Sequence, residues 1–205
     1  MPGDAVVVLG GGNTSFSVAA KLALEGHDVV LWEAPDQATS IAPIRERRQI
    51  RLTGTGGEGT ATLRAVTTDA AEALDAGAVL IAAVPSYAHA PFADSLLPHL
   101  RPHHLLTLTP GNLGTLAFAK RLRDAGQSPG KTGPLLAESD TAPYVCRKLG
   151  PDHAHIWGVV PGMGIGVFPA AHTTRAIATL EPLFRGVGPY PHALAAGLGA
   201  MNPIV

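Results

Sequence analysis

Three small residues near the start of the chain, Gly10, Gly12 and Ser15, stand at the spacing of a loop that cradles a diphosphate. Gly10 allows a tight turn from strand to helix. Gly12 lets a phosphate approach the main chain, and Ser15 is small enough for helix and strand to pack closely. N–H groups at the helix start, at Asn13 and Thr14, and the positive end of the helix dipole then face the anion. Glu33 lies twenty-one residues past Gly12. That is close to the roughly 20-residue interval expected of an acid that bonds an adenosine ribose. Arg45, Arg47, Arg48 and Arg51 follow. They read either as a solvated helix end or as contacts to a cofactor phosphate, including a 2′-phosphate. Glu33 repels such a phosphate, so NAD is the expected cofactor, with NADP left open.

A second chemical cluster runs from Ala137 to Arg147. It holds acids, hydroxyls, a phenol, a thiol and a guanidinium within eleven residues. It reads either as a surface loop or as the lining of a substrate cleft. Arg147 can pair bidentately with a carboxylate, and Thr141 can add a neutral donor. The histidines do not suggest a metal. His103 and His104 are adjacent and point apart on extended chain, and His153 and His155 merely share one strand face. His89 is expected to be an ordinary first-turn helix residue.

The elements that must position these groups alternate. Residues 5–9 form an apolar strand, and Val18, Ala19, Leu22 and Ala23 mark the helix after it, stopped at Gly26. A second strand, 29–32, ends at Glu33. Residues 49–63 read as an inserted antiparallel hairpin. A short helix follows at 69–75, with Thr68 as its expected cap. The continuous apolar run 78–84 reads as a buried parallel strand. It delivers Val84, Pro85 and Ser86 to its carboxyl end, where ligands sit in such sheets. A helix at 91–100, a strand at 105–109 ending in Pro110-Gly111-Asn112, and a helix from 113 to 126 repeat the pattern. Another strand begins at Leu135, although the run that follows is too polar for a core strand. Residues 154–160 and 164–168 read as a hairpin of edge strands, followed by helices at 173–184 and 193–200. This order predicts an α/β fold, Rossmann-type and doubly wound, with a mainly parallel sheet and antiparallel edge strands.

Composition narrows the partners. The chain has 205 residues, 46% hydrophobic and 15% charged, with a net charge of −1. It can bury a core, and no basic block suits nucleic acid or an anionic membrane. Cys146 is the single cysteine, which suits a reducing cytoplasm. Neither a signal peptide nor a membrane span is legible.

Taken in order, Gly10-Gly-Gly-Asn-Thr-Ser15, Val30-Leu-Trp-Glu33, Val84-Pro85, Pro110-Gly-Asn112 and Ala137-Glu-Ser-Asp-Thr-Ala-Pro-Tyr-Val-Cys-Arg147 resemble the octopine/nopaline (opine) dehydrogenase family. The resemblance runs over essentially the whole chain, and residues 138–147 are its most specific piece. It implies a two-domain oxidoreductase that condenses an amino acid with a 2-oxo acid and reduces the imine with NAD(P)H. Residues 1–188 would form the dinucleotide-binding domain, and 189–205 the opening helix of an all-helical substrate domain. The glycine loop and Glu33, with Val84, Pro85, Ser86 and Asn112, would hold the cofactor. Asn112 and Thr141 would lie near the oxo acid. In the family, the segment like Met201-Asn-Pro-Ile-Val205 is followed by a histidine that serves as acid/base group, and Asn202 matches the asparagine one helical turn before it. The chain is therefore expected to bind cofactor, to make little opine alone, and to self-associate or take a helical partner through its apolar tail. A glycerol-3-phosphate or ketopantoate-like reductase, or a non-catalytic dinucleotide-binding module, are the rival readings.

Overall fold

The computed structural model describes residues 4–200. In chain order the elements are β1 (Val6–Leu9), α1 (Asn13–Leu24), β2 (Val29–Trp32), β3 (Gln49–Gly54), β4 (Gly59–Thr62), β5 (Ala65–Thr67), α2 (Ala70–Asp75) and β6 (Val79–Ala82). Then come α3 (His89–Leu96), β7 (Leu105–Leu108), α4 (Gly114–Asp124), β8 (Leu135–Ser139), β9 (Tyr144–Gly150), β10 (His153–Val159), β11 (Gly164–Phe168), α5 (Thr173–Leu180), β12 (Gly188–Pro189) and α6 (Ala193–Leu198). The chain divides into two compact units. One takes residues up to Ala83 together with Pro143–Val160; the other takes Val84–Ala142 and residues from Pro161 on.

The first unit carries parallel strands in the order β6-β1-β2-β5. β1 and β2 are buried along their whole length, as uniformly apolar strands covered on both faces must be. α1 buries Phe16, Val18, Ala19 and Leu22. Its chain turns away at Gly26, where φ is +92°, a conformation that suits glycine. α2 is capped by Asp69 and not by Thr68. The Asp69 Oδ1 accepts from the Ala71 and Glu72 N–H groups at 2.8 and 3.1 Å. A carboxylate at that position satisfies two orphan donors of the first turn.

The same unit holds a second sheet in the order β4-β3-β10-β9. β3 and β4 pair antiparallel, as the expected hairpin. β10 pairs parallel with β3 and antiparallel with β9. The expected hairpin of residues 154–160 with 164–168 is therefore not formed. Residues 144–150 alternate between the two faces, as a strand covered on one side does, and β10 takes its antiparallel ladder from them.

In the second unit the strand order is β12-β11-β8-β7. β7 and β8 are parallel, β11 runs antiparallel to β8, and β12 is parallel to β11. β11 and β12 thus both run against β8 and β7, so the antiparallel strands lie at this edge, as expected. β8 is buried throughout, with Glu138 and Ser139 fully covered. The polar run from Ala137 is not one loop but the end of a core strand and the start of β9. α3 packs on α4, and α6 on β11 and β8. α6 buries Ala193 and Ala196 and leaves Leu194 and Leu198 exposed. The fold is α/β of Rossmann type with mainly parallel strands. Among the described residues no helix is long and apolar enough to cross a membrane.

Candidate dinucleotide site

β1 ends in the glycine loop. Gly10 has φ +114°, and its N–H donates to the Trp32 carbonyl at 2.7 Å, tying the loop to β2. Gly11 has no room for a side chain, because a methyl would collide with Ser40 Oγ and crowd the Glu33 carboxylate. Gly12 is the opposite case. It starts α1 with φ −82°, and among the described residues no side chain caps the first turn and none comes within 4 Å of a methyl added there. Open space therefore stands over the N–H groups of an uncapped helix start, which is what an approaching phosphate requires.

Ser15 is fully buried, and its hydroxyl donates to the Ala83 carbonyl at 3.0 Å. It joins α1 to the end of β6, as close packing demands. Asn13 and Thr14 turn their side chains to β9. Asn13 Oδ1 accepts from the Lys148 N–H at 2.9 Å, and the Cys146 thiol lies 3.9 Å from Thr14 Oγ1.

Glu33 is only 6% exposed. Its Oε2 accepts from the Gly11 N–H at 2.5 Å and from Ser40 Oγ at 3.3 Å, and its Oε1 accepts from the Ala34 N–H at 2.8 Å. Burial holds its pKa above the usual carboxylate range, and these three donors pull the other way. Lys148 reaches the same loop from β9. Its Nζ donates to the carbonyls of Gly11 at 3.2 Å and Ser40 at 3.0 Å, and lies 3.5 Å from the centre of the Phe16 ring. Burial lowers its pKa and the Glu33 charge raises it back. Lys148 and Ser40 did not stand out from the sequence. The two-residue alternation of 144–150 was the available signal, since it puts Lys148 on the same face as Cys146. Arg147 is exposed on the other face, in register with His155. Arg45, Arg47, Arg48 and Arg51 are exposed, and Arg48 donates to the Arg64 carbonyl. That agrees with the solvated reading of the cluster.

The second unit gathers another set. Val84 is half-buried, while Pro85 and Ser86 are exposed just past β6. Asn112 Nδ2 donates to Ser86 Oγ at 3.4 Å. Asn112 and Leu113 both take left-handed backbone, with φ +46° and +65°. Consecutive non-glycine residues of this kind mark a held, strained loop. Glu138 lies beneath it. Its Oε2 accepts from the Thr115 N–H at 3.2 Å, its Oε1 is buried with no partner among the described residues, and it leaves no space for a side chain at Gly111 or Gly197. Burial raises its pKa. The Thr141 carbonyl accepts from Ser139 Oγ at 2.7 Å, which fixes the chain past β8. His89 is the first residue of α3, buried against Gly114, with its pKa lowered by burial. Asn202 lies outside the described residues.

The family model described as "NAD-dependent glycerol-3-phosphate dehydrogenase N-terminus" matches residues 5–120. The opine dehydrogenase of Arthrobacter sp. (strain 1C) is 30% identical over 202 residues, covering 96% of this chain and 55% of that protein. A solved octopine dehydrogenase with NADH and L-arginine superposes with a TM-score of 0.74 at 18% identity, over 93% of this chain and 49% of that one. A yersinopine dehydrogenase with NADP+ gives 0.70 at 16% identity, over 96% and 50%. The chain thus spans about half the length of the proteins it matches. With more than half of its residues matched by the family model, the chain belongs to the NAD-dependent glycerol-3-phosphate dehydrogenase N-terminus family, and opine dehydrogenases are among its relatives.

Proposed function

We propose that this chain is the cofactor-binding part of an NAD(P)H-dependent opine-type dehydrogenase. The observation that carries the reading is Gly12. It combines open space, an uncapped helix start and a turn braced from beneath by Glu33. Main-chain N–H groups at Gly12, Asn13 and Thr14 hold the diphosphate. Val84, Pro85, Ser86 and Asn112 serve the nicotinamide end, and Asn112 and Thr141 the substrate carboxylates; Arg147, on the outer face of β9, takes no part. Bound nicotinamide supplies hydride. In the condensation, an amine adds to the 2-oxo carbon and water leaves. Carbon of the resulting C=N bond then takes the hydride and nitrogen takes a proton. Asn202 supports that proton transfer. Residues 1–188 are the dinucleotide domain and 189–205 the opening of the substrate domain. The substrates are small molecules, an amino acid and a 2-oxo acid. Exposed Leu194 and Leu198 support self-association or a helical partner, and a lone cysteine suits the cytoplasm.

Calorimetric titration of the chain with NADH and NADPH tests the cofactor half of the proposal. Saturable binding that Gly12→Val abolishes is expected, and absence of binding to either nucleotide overturns it. Cofactor oxidation by the whole protein, with pyruvate and a panel of amino acids, tests the reaction. Turnover with dihydroxyacetone phosphate and none with amino acids would favour the glycerol-3-phosphate reading, which the matched family model supports.

A further inference from the structure

Lys148 meets the glycine loop at the corner where β2 ends. The two residues whose carbonyls hold its ammonium, Gly11 and Ser40, are two of the three that donate to the Glu33 carboxylate. A cation and an acid are thus braced by shared partners on one short stretch of backbone. The acid is spent on that backbone: it is 6% exposed and accepts three hydrogen bonds from within the chain. The cation is not. Gly11 and Ser40 use two of its three N–H donors, while the Phe16 ring steadies it.

In folds of this type the end of the second strand is where the adenosine ribose lies, and the group found there decides what the 2′ position may carry. An acid alone accepts a hydroxyl and repels a phosphate. Here a half-buried ammonium stands beside the acid and cancels that repulsion. We propose that Lys148 sets the cofactor choice by receiving the 2′-phosphate, so that the chain takes NADPH at least as readily as NADH. The inference rests on the dinucleotide reading above and names the residue that decides between the two nucleotides.

Calorimetry on the chain decides it, with NADPH, NADH, 2′,5′-ADP and 5′-AMP as probes. Lys148→Met keeps an unbranched stem on Phe16 and removes the charge; Lys148→Arg keeps the charge. Unchanged protein should bind NADPH no more weakly than NADH, and 2′,5′-ADP more tightly than 5′-AMP. Lys148→Met should lose about tenfold or more for NADPH, the worth of one charge-assisted hydrogen bond, and no more than about threefold for NADH. Lys148→Arg should retain the preference. A tenfold preference of the unchanged chain for NADH would overturn the proposal. So would an equal loss of both nucleotides in Lys148→Met, which would make the lysine a loop support only. Should Lys148→Met fail to fold by circular dichroism, the 2′,5′-ADP to 5′-AMP ratio of the unchanged chain decides alone. Failure to bind any of the four probes would instead remove the dinucleotide reading beneath.

Discussion

The Gly11 N–H donates to the Glu33 carboxylate at 2.5 Å, across twenty-two positions of sequence. The acid at the end of β2 is therefore part of the loop it was expected to accompany. It holds the turn from below and fixes where Gly12 and the start of α1 present their N–H groups.

Two neighbouring glycines should respond in opposite ways. Gly11→Ala forces a methyl onto Ser40 and Glu33, and overpacking of this kind costs about 1–3 kcal/mol. Gly12→Ala meets open space at an ordinary φ, so it should cost no more than about 1 kcal/mol as a poorer helix cap. It should nonetheless weaken nucleotide binding by occupying the phosphate's path. Urea unfolding and calorimetry on both variants separate the effects. Equal stability losses would sink the distinction.

Glu33→Gln should destabilise the chain by about 1–3 kcal/mol, the range for leaving a buried donor unmatched. All three of its partners are donors, and an amide offers one of its two positions as a further donor. Denaturant midpoints read the change, and an unchanged midpoint would mean that the acid does not brace the loop.

Glu138 supplies a pH test. Its pKa is raised from the usual 4.5 by burial, so the folded chain keeps the proton to higher pH than the unfolded chain does. Its stabilising contribution is present in full below about 4.5 and is lost as pH rises through the raised value. Glu138→Gln does not titrate, and its amide can occupy the place of the partnerless Oε1. The melting temperature of the variant minus that of the unchanged chain should grow from pH 5 to pH 8. Glu33, shifted the same way, leaves its own slope in both proteins, so the difference isolates Glu138. A constant difference would show that Glu138 is ionised in both states alike.

Asn112 sits at φ +46°, which asparagine tolerates and β-branched residues do not. Asn112→Val should cost about 1–3 kcal/mol of stability. Asn112→Gly should keep the fold while losing the amide contact to Ser86. If the reading of this loop as the nicotinamide side is right, Asn112→Gly lowers turnover of the whole protein without lowering its melting temperature. A matching fall in both would tie the residue to folding alone.

Local pattern was enough for much of this protein. The run Val6–Leu9 had to be a covered strand because nothing in it is polar, and the glycine spacing then dictated a turn and a helix start. The same logic placed β2 and β6, which hold no polar residue, and β7, where Thr107 is the one exception. Pattern misled where burial and polarity part company. Glu138 and Ser139 belong to a core strand, and no one-dimensional rule puts a carboxyl there, because the groups that satisfy or crowd it, Thr115, Gly111 and Gly197, come from distant sequence. Strand partnership was equally out of reach: β10 finds β9 and β3, not β11. Lys148 shows the same limit most sharply. As a residue it is one more surface-type cation, and only folding, which carries β9 back to a loop 137 positions earlier, sets its charge beside Glu33. Sequence dictated which segments must be covered and where the chain must turn; the tertiary fold alone decided which charges meet, since an electrostatic contact depends on distance in space and not along the chain.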